Sequence, residues 1–359
     1  MRKISLFGLL IILSTSSIVL MQQACKHKTK PQATTSTTGF EFKERLSDYG
    51  FFTGVIKDLT PAEGVVLYDL STPLFTDYSI KDRFIKLPHG QSLTYTANGP
   101  LGFPDSSIII KNFAYTNEAH QKIMIETRLL VKDPQDHKWK VMNYLWNKEQ
   151  TDAVRHITGA KVPITLLDEN GKKHVTNYMV PNTNDCKRCH VNNGTLTPIG
   201  PKARNLNFTL KGQTKNQLSQ LASNGILVGL PDLTMVSQLP IWTDSKHYSL
   251  EKRARAYLDI NCAHCHTKGG DAFNTGLFLD YEETSANHLG IRKAPVSAGG
   301  GAGGLDFDIV PGDPAQSILL HRMNSVEPGT AMPELARTII HKEGVALISE
   351  WIQRLPKEK

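Results

Sequence analysis

Two pentads stand out by residue type and spacing: Cys186-Lys187-Arg188-Cys189-His190 and Cys262-Ala263-His264-Cys265-His266. Two thiols separated by two residues, with an imidazole directly after the second, form the pattern that attaches c-type haem. Each thiol adds across a porphyrin vinyl group, and the histidine ligates the iron from one face. Two copies predict two covalent haems, held through thioethers by Cys186, Cys189, Cys262 and Cys265, with His190 and His266 as proximal iron ligands. A zinc site built from the two Cys-x-x-Cys pairs is the main alternative, but it has no need of a histidine after each pair. A redox-active thiol pair is a third reading; it calls for a βαβ setting that neither pentad has.

The sixth ligand sets potential and reactivity, because methionine raises the potential and an open position admits peroxide or oxygen chemistry. Met332, in the turn Ala331-Met332-Pro333, is the candidate for the second haem. Met323 competes with it, but sits in a predicted helix where a packing role suits it better. Met235, in Asp232-Leu233-Thr234-Met235-Val236, is the candidate for the first haem, against an ordinary loop role for that residue. His247, a histidine from the N-terminal half, or an open site are the other possibilities. Gly200-Pro201 follows His190 at a spacing similar to that of small c-type cytochromes, where a proline carbonyl accepts the Nδ1 proton of the proximal ring and fixes it. No group elsewhere reads as catalytic.

The elements that position these residues fall into two halves. From Phe40 to Pro181 short β-branched and aromatic runs alternate with turns: Val65 to Tyr68, Arg83 to Leu87, Ser92 to Thr96, Ile108 to Phe113, Ile123 to Val131 and Lys140 to Trp146. Asp168-Glu169-Asn170-Gly171 is a hairpin turn. His89, His120, His137, His156 and His174 are scattered among polar loop residues and read as surface groups; Trp139 and Trp146 read as core or as cover for a haem. After Pro181 the pattern changes to helices. Asn182 to Asp185 can cap a helix carrying the first pentad. Lys215 to Ala222 has helical spacing and stops at Asn224-Gly225, and Leu250 to Asn261 is an amphipathic helix running into Cys262. Ile318 to Met323 and Gly344 to Leu355 are further helices, while the glycine run from Gly299 to Gly304 lacks the Gly-Lys-Ser/Thr of a phosphate loop. The expected fold is therefore α+β and multidomain: a β-sandwich-like domain over 40–181, then two α-helical cytochrome c-like haem domains over 182–245 and 246–359.

Haem attachment to such proteins takes place outside the cytoplasm, so the pentads call for an export signal. Arg2 and Lys3 followed by the apolar run from Ile4 to Met21 supply one, and residues 1–24 read as a signal peptide. Cys25 is the odd cysteine of five and stands where a bacterial lipoprotein is acylated, although Gln22 replaces the usual leucine. Residues 25–39 then read as a lipid-anchored tether. The formal charge of +7 comes with no basic run or basic-aromatic stripe, which argues against nucleic acid as a partner. The expected place is the bacterial envelope, periplasmic and tethered to a membrane.

The chain resembles a bacterial family of exported dihaem c-type cytochromes with a β-rich N-terminal half. Tyr68-Asp69-Leu70-Ser71-Thr72-Pro73-Leu74-Phe75-Thr76-Asp77-Tyr78, Pro198 to Asn207, and Arg253 to Asn261 running into the second pentad carry the likeness. Val310-Pro311-Gly312-Asp313-Pro314 and Met332-Pro333 are similar to the end of planctomycete-type cytochrome domains. The resemblance implies electron transfer without naming the redox protein donor or acceptor, and the lack of a recognisable distal catalytic Glu/Arg/His group favours a carrier over an enzyme. A dihaem peroxidase-like enzyme and a haem subunit of a dehydrogenase complex are the alternatives.

Overall fold

The structure is a computed structural model and describes residues 39–168 and 170–357. The expected signal peptide and the acylation site at Cys25 lie outside the described residues. Among the described residues nine strands precede the first pentad: β1 (Val65–Tyr68), β2 (Ile80–Lys86), β3 (Leu93–Thr94), β4 (Ile108–Thr116), β5 (Lys122–Lys132), β6 (Trp139–Trp146), β7 (Ala153–His156), β8 (Ala160–Leu167) and β9 (Lys173–Val180). Six of them pair antiparallel in the order β1-β2-β4-β5-β6-β7. The β8–β9 hairpin turns at Asp168, whose carboxylate accepts the N–H groups of Asn170 and Lys172, both at 2.9 Å. Six helices follow among the described residues: α1 (Thr183–His190), α2 (Ala203–Leu206), α3 (Gln217–Ser223), α4 (Leu250–Asn261), α5 (Ile318–Met323) and α6 (Lys342–Arg354).

Alternation along each strand sends neighbouring residues to opposite faces of the six-stranded sheet. One face carries Phe84, Ile110, Leu129 and Tyr144, which pack with Leu46, Phe51 and Phe52 of the segment before β1. The other carries Ile85, Ile109, Leu130 and Val141, which pack with Leu206, Leu218 and Leu221 of α2 and α3. Leu227 and Val228 add a short parallel strand to β3, locking the post-pentad segment to the first half by backbone hydrogen bonds. A third core joins α4 to α6, where Leu258, Ile348 and Trp351 meet Leu279 and Ile309. Gly344 lets α6 lie directly on Tyr257, since a Cβ there would collide with the tyrosine ring.

This overturns the expected fold class. The structure is mainly β, and the two α-helical cytochrome c-like domains are not formed. Only α1, α4 and α6 reach eight residues. The stretches between them are broken by glycine and proline, and bury their apolar residues against the sheet or against one another as loops. Nor is the first half a sandwich of two large sheets: its single large sheet is covered on one face by the N-terminal segment and on the other by the segment carrying the first pentad. No helix among the described residues is long and apolar enough to cross a membrane.

Candidate functional site

The first pentad occupies α1, held at its start by a full capping box. The Asn182 side-chain oxygen accepts from the N–H groups of Asn184 and Asp185, at 2.8 and 2.9 Å, and the Asp185 carboxylate accepts from Asn182 N–H at 3.0 Å. Cys186 and Cys189, three residues apart, therefore share one side of the helix. Cys186 is buried with its sulfur 3.9 Å from the Asn143 side-chain oxygen on β6, and the Asn143 amide donates to Pro181 O at the entrance to the helix. His190 donates its Nδ1 proton to Thr197 O at 3.0 Å, which leaves Nε2 with a free lone pair. The expected acceptor was Pro201. Its carbonyl instead accepts from Leu101 N–H at 2.9 Å, because that chain is stitched to the first half.

The second pentad follows α4 without a break. Ser249 caps the helix by accepting from Lys252 N–H at 3.4 Å, and the unbroken buried run from Ala254 to Asn261 fixes the approach to Cys262. His266 Nδ1 faces the Thr275 hydroxyl at 3.4 Å. Burial pushes both His190 and His266 down to about 4, so each ring is held neutral, the form that ligates iron. Burial also pushes the Cys262 thiol up to about 12 and the Cys186 thiol above its ordinary value.

The two pentads meet. The sulfurs of Cys189 and Cys265 and a ring nitrogen of His264 lie within 4.8 Å of one another. A hydrogen bond between the sulfurs holds Cys189 below the usual thiol range and Cys265 above it. Each pentad also opens on its own cleft. Cys186, Cys189 and His190 line one of about 1420 Å³, mouth included. Cys265 and His266 line a second of about 1580 Å³, and Cys189, Cys262, His264, Met323 and Met332 border both. Paired thiols beside a neutral imidazole, facing a large and mostly apolar cleft, are a donor set that fits haem c at both places. The buried Nδ1 of His264 has no hydrogen-bond partner and sits where the clefts join.

Of the remaining predicted site residues, Met332 reaches the clefts and Met235 does not. Met235 lies in a short 3-10 turn, is 76% exposed, and lines neither cleft. The expected ligation of the first haem by Met235 is therefore not supported by the geometry. His247 is likewise exposed, paired with Asp244 at 2.7 Å. His137, His156 and His174 bond to Asp105, Gly159 O and Asp168, away from either cleft. Trp146 belongs to the far face of the sheet, whereas Trp139 packs on Phe103 near α2 and α3.

Two features were missed in the sequence. His341 lines the first cleft, stacked on Phe75 with ring centroids 4.0 Å apart and its Nδ1 2.9 Å from the Tyr257 hydroxyl. The second is a row of cations across the cleft-facing side of the sheet: Arg83 on β2 is paired in register with Lys111 on β4, Lys111 with Arg128 on β5, and Arg128 with Asn143 on β6. All of these three cations line the first cleft. Register alone reveals the row, since each residue reads locally as an ordinary outward-facing polar position.

No family model matches the chain, and neither a curated protein nor a solved structure matches it.

Proposed function

We propose that the chain is a dihaem c-type cytochrome that passes electrons between redox proteins of the bacterial envelope. The observation that carries this reading is the contact between the pentads: Cys189 and Cys265, remote in sequence, bring their sulfurs within 4.8 Å while each pentad keeps a cleft of its own. Thioethers formed at those sulfurs would put two macrocycles edge to edge. Haem held in the two clefts supplies reversible one-electron chemistry.

The chain's own residues do the rest. Thr197 O fixes the His190 ring and, by accepting its proton, makes Nε2 a stronger donor to iron. Met323, Met332 and His264 form a wall shared by the two clefts. With one methionine turn bordering both clefts, Met332 serves the second haem in this reading and leaves the first without a methionine of its own. The export signal, the lipid anchor at Cys25 and the identities of donor and acceptor belong to the same proposal.

Pyridine haemochrome analysis with mass spectrometry of the pentad peptides tests it. Two haems per chain, each adding its mass to one Cys-x-x-Cys-His peptide, is the expected result; fewer than two in protein made with the haem-attachment machinery would sink it. A second reading, a structural metal ion, is favoured by the Cys189, His264 and Cys265 cluster. Purified chain carrying zinc and unmodified thiols would select that reading instead.

A further inference from the structure

The Arg83, Lys111 and Arg128 row is an unusual thing to place on the covered face of a sheet. Like charges directly opposite on neighbouring strands repel, and burial makes each charge costlier. Two of the three have carboxylate partners. Arg128 binds the fully buried Glu126 at 2.5 Å, and Arg83 binds Asp69, whose side chain is half in solvent. Lys111 makes no ion pair or hydrogen bond among the described residues; its ammonium rests 4.8 Å from the centre of the Phe113 ring, with Arg128 over the same ring at 4.3 Å. Arg83 is 3% exposed, and its Nη2 is buried with no hydrogen-bond partner. The row thus presents to the first cleft an unused guanidinium donor and a lysine whose pKa burial, Arg83 and Arg128 push well below its ordinary value, so that a bound carboxylate would restore its charge.

The row also has a direction. It begins at Asn143, whose side chain touches Cys186, and runs away from that cysteine one strand at a time through Arg128 and Lys111 to Arg83. At the usual strand spacing of about 4.8 Å, Arg83 stands roughly 14 Å from the Asn143 position. Covalent attachment fixes the vinyl edge of a porphyrin at the cysteines, and its carboxylates leave from the far side of the ring. The unsatisfied cations lie in that direction.

We infer that Lys111 and Arg83 form a carboxylate-binding site in the first cleft, filled by the propionates of the first haem, and that these cations raise the first haem's reduction potential. This rests on the dihaem reading. A small carboxylate entering from solvent offers the same chemistry, and the test separates the two sources. A cation favours the reduced macrocycle because reduction adds negative charge near it.

The experiment is a spectroscopic redox titration of the intact protein, wild type against Lys111→Met and Arg83→Gln, with haem counted first. Wild-type protein with fewer than two haems defeats the dihaem reading before any variant is made. With two haems present, Lys111→Met is expected to displace one reduction step and leave the other, raising the oxidised-to-reduced ratio at a fixed potential roughly tenfold for an interaction of about 1.4 kcal/mol. Arg83→Gln should displace the same step, and Arg83→Lys, which keeps the charge if the glutamine variant folds poorly, should displace it less. Succinate added to wild type should leave the spectrum unchanged if propionates fill the site. A saturable spectral change with succinate, lost in Lys111→Met, would assign the site to a soluble carboxylate and overturn the propionate assignment. Both steps unmoved in Lys111→Met and Arg83→Gln, with no response to succinate, overturns the site altogether.

Discussion

The carboxylate of Asp77 accepts the backbone N–H of Thr338 at 2.7 Å, tying the end of the Met332 loop to the start of β2. The same carboxylate accepts from Ile339 N–H at 2.9 Å and from the Thr338 hydroxyl at 2.7 Å. Asp77 is 1% exposed and sits at φ 45°. One buried side chain therefore sets where the loop bordering both clefts is pinned, and it comes from a stretch of the first half that carries no haem ligand.

Replacing that side chain should unfasten the loop. Asp77→Ala leaves two part-buried N–H groups without a partner, at a cost of about 2 to 4 kcal/mol. Asp77→Asn keeps an acceptor oxygen and should lose less. Urea denaturation of the two variants checks the order; equal stabilities would show that the loop is held by something else.

Met332 and Met323 border the same two clefts, so removing each in turn separates ligand from packing. Met332→Ala should abolish the weak far-red sulfur-to-iron absorption of a His/Met haem while leaving stability close to wild type. Met323, 5% exposed in the α4–α6 core, should instead cost about 2 to 5 kcal/mol on truncation and leave that absorption in place. The reverse pattern would move the ligand to Met323.

Much of this arrangement was legible from sequence, and the reasons divide cleanly. Strands β1, β4, β5 and β6, the hairpin at Asp168, the cap before Cys186 and the helix running into Cys262 are local features. Each is written in alternation, helical spacing or a capping residue within a dozen positions. What failed was tertiary. The β-branched runs gave no sign that one face of the sheet would be covered by the residues following Cys186 rather than by a second sheet. Lys111 sits in Ile110-Lys111-Asn112 like any surface lysine, and only the pairing of β2, β4 and β5 shows it opposite Arg83 and Arg128. His341 was passed over for the same cause, since nothing near it in sequence points to Phe75.

The capping box of α1 is a short-range device with a consequence for the cofactor. Asn182→Ala removes the acceptor for two N–H groups and should cost about 1 to 2 kcal/mol, fraying the turn that aligns Cys186 with Cys189. Peptide mass spectrometry should then find less haem on the first pentad, with the second, behind the separately capped α4, fully modified. Equal occupancy at both pentads would show that α1 is held by its burial against the sheet alone.

Acid should act through His341. Burial pushes its pKa down from 6.5 to about 4, with the charges of Lys81 and Arg337 acting in the same direction and Glu343 opposing them. The uncharged rings of Phe75, Tyr78, Trp242 and Tyr257 also pack against it. A histidine whose folded pKa lies below its unfolded value stabilises the fold fully above pH 6.5, and that contribution is lost as pH falls toward 4. The amount is on the order of 3 kcal/mol. His190 and His266 titrate in the same sense in haem-free chain, so His341→Gln should remove part of the acid sensitivity and not all of it. Denaturation midpoints of haem-loaded wild type and His341→Gln at pH 7.5 and 4.5 provide the comparison, because there the proximal rings are committed to iron. The drop between the two pH values should be clearly smaller in the variant; an unchanged drop would place the acid-sensitive group elsewhere.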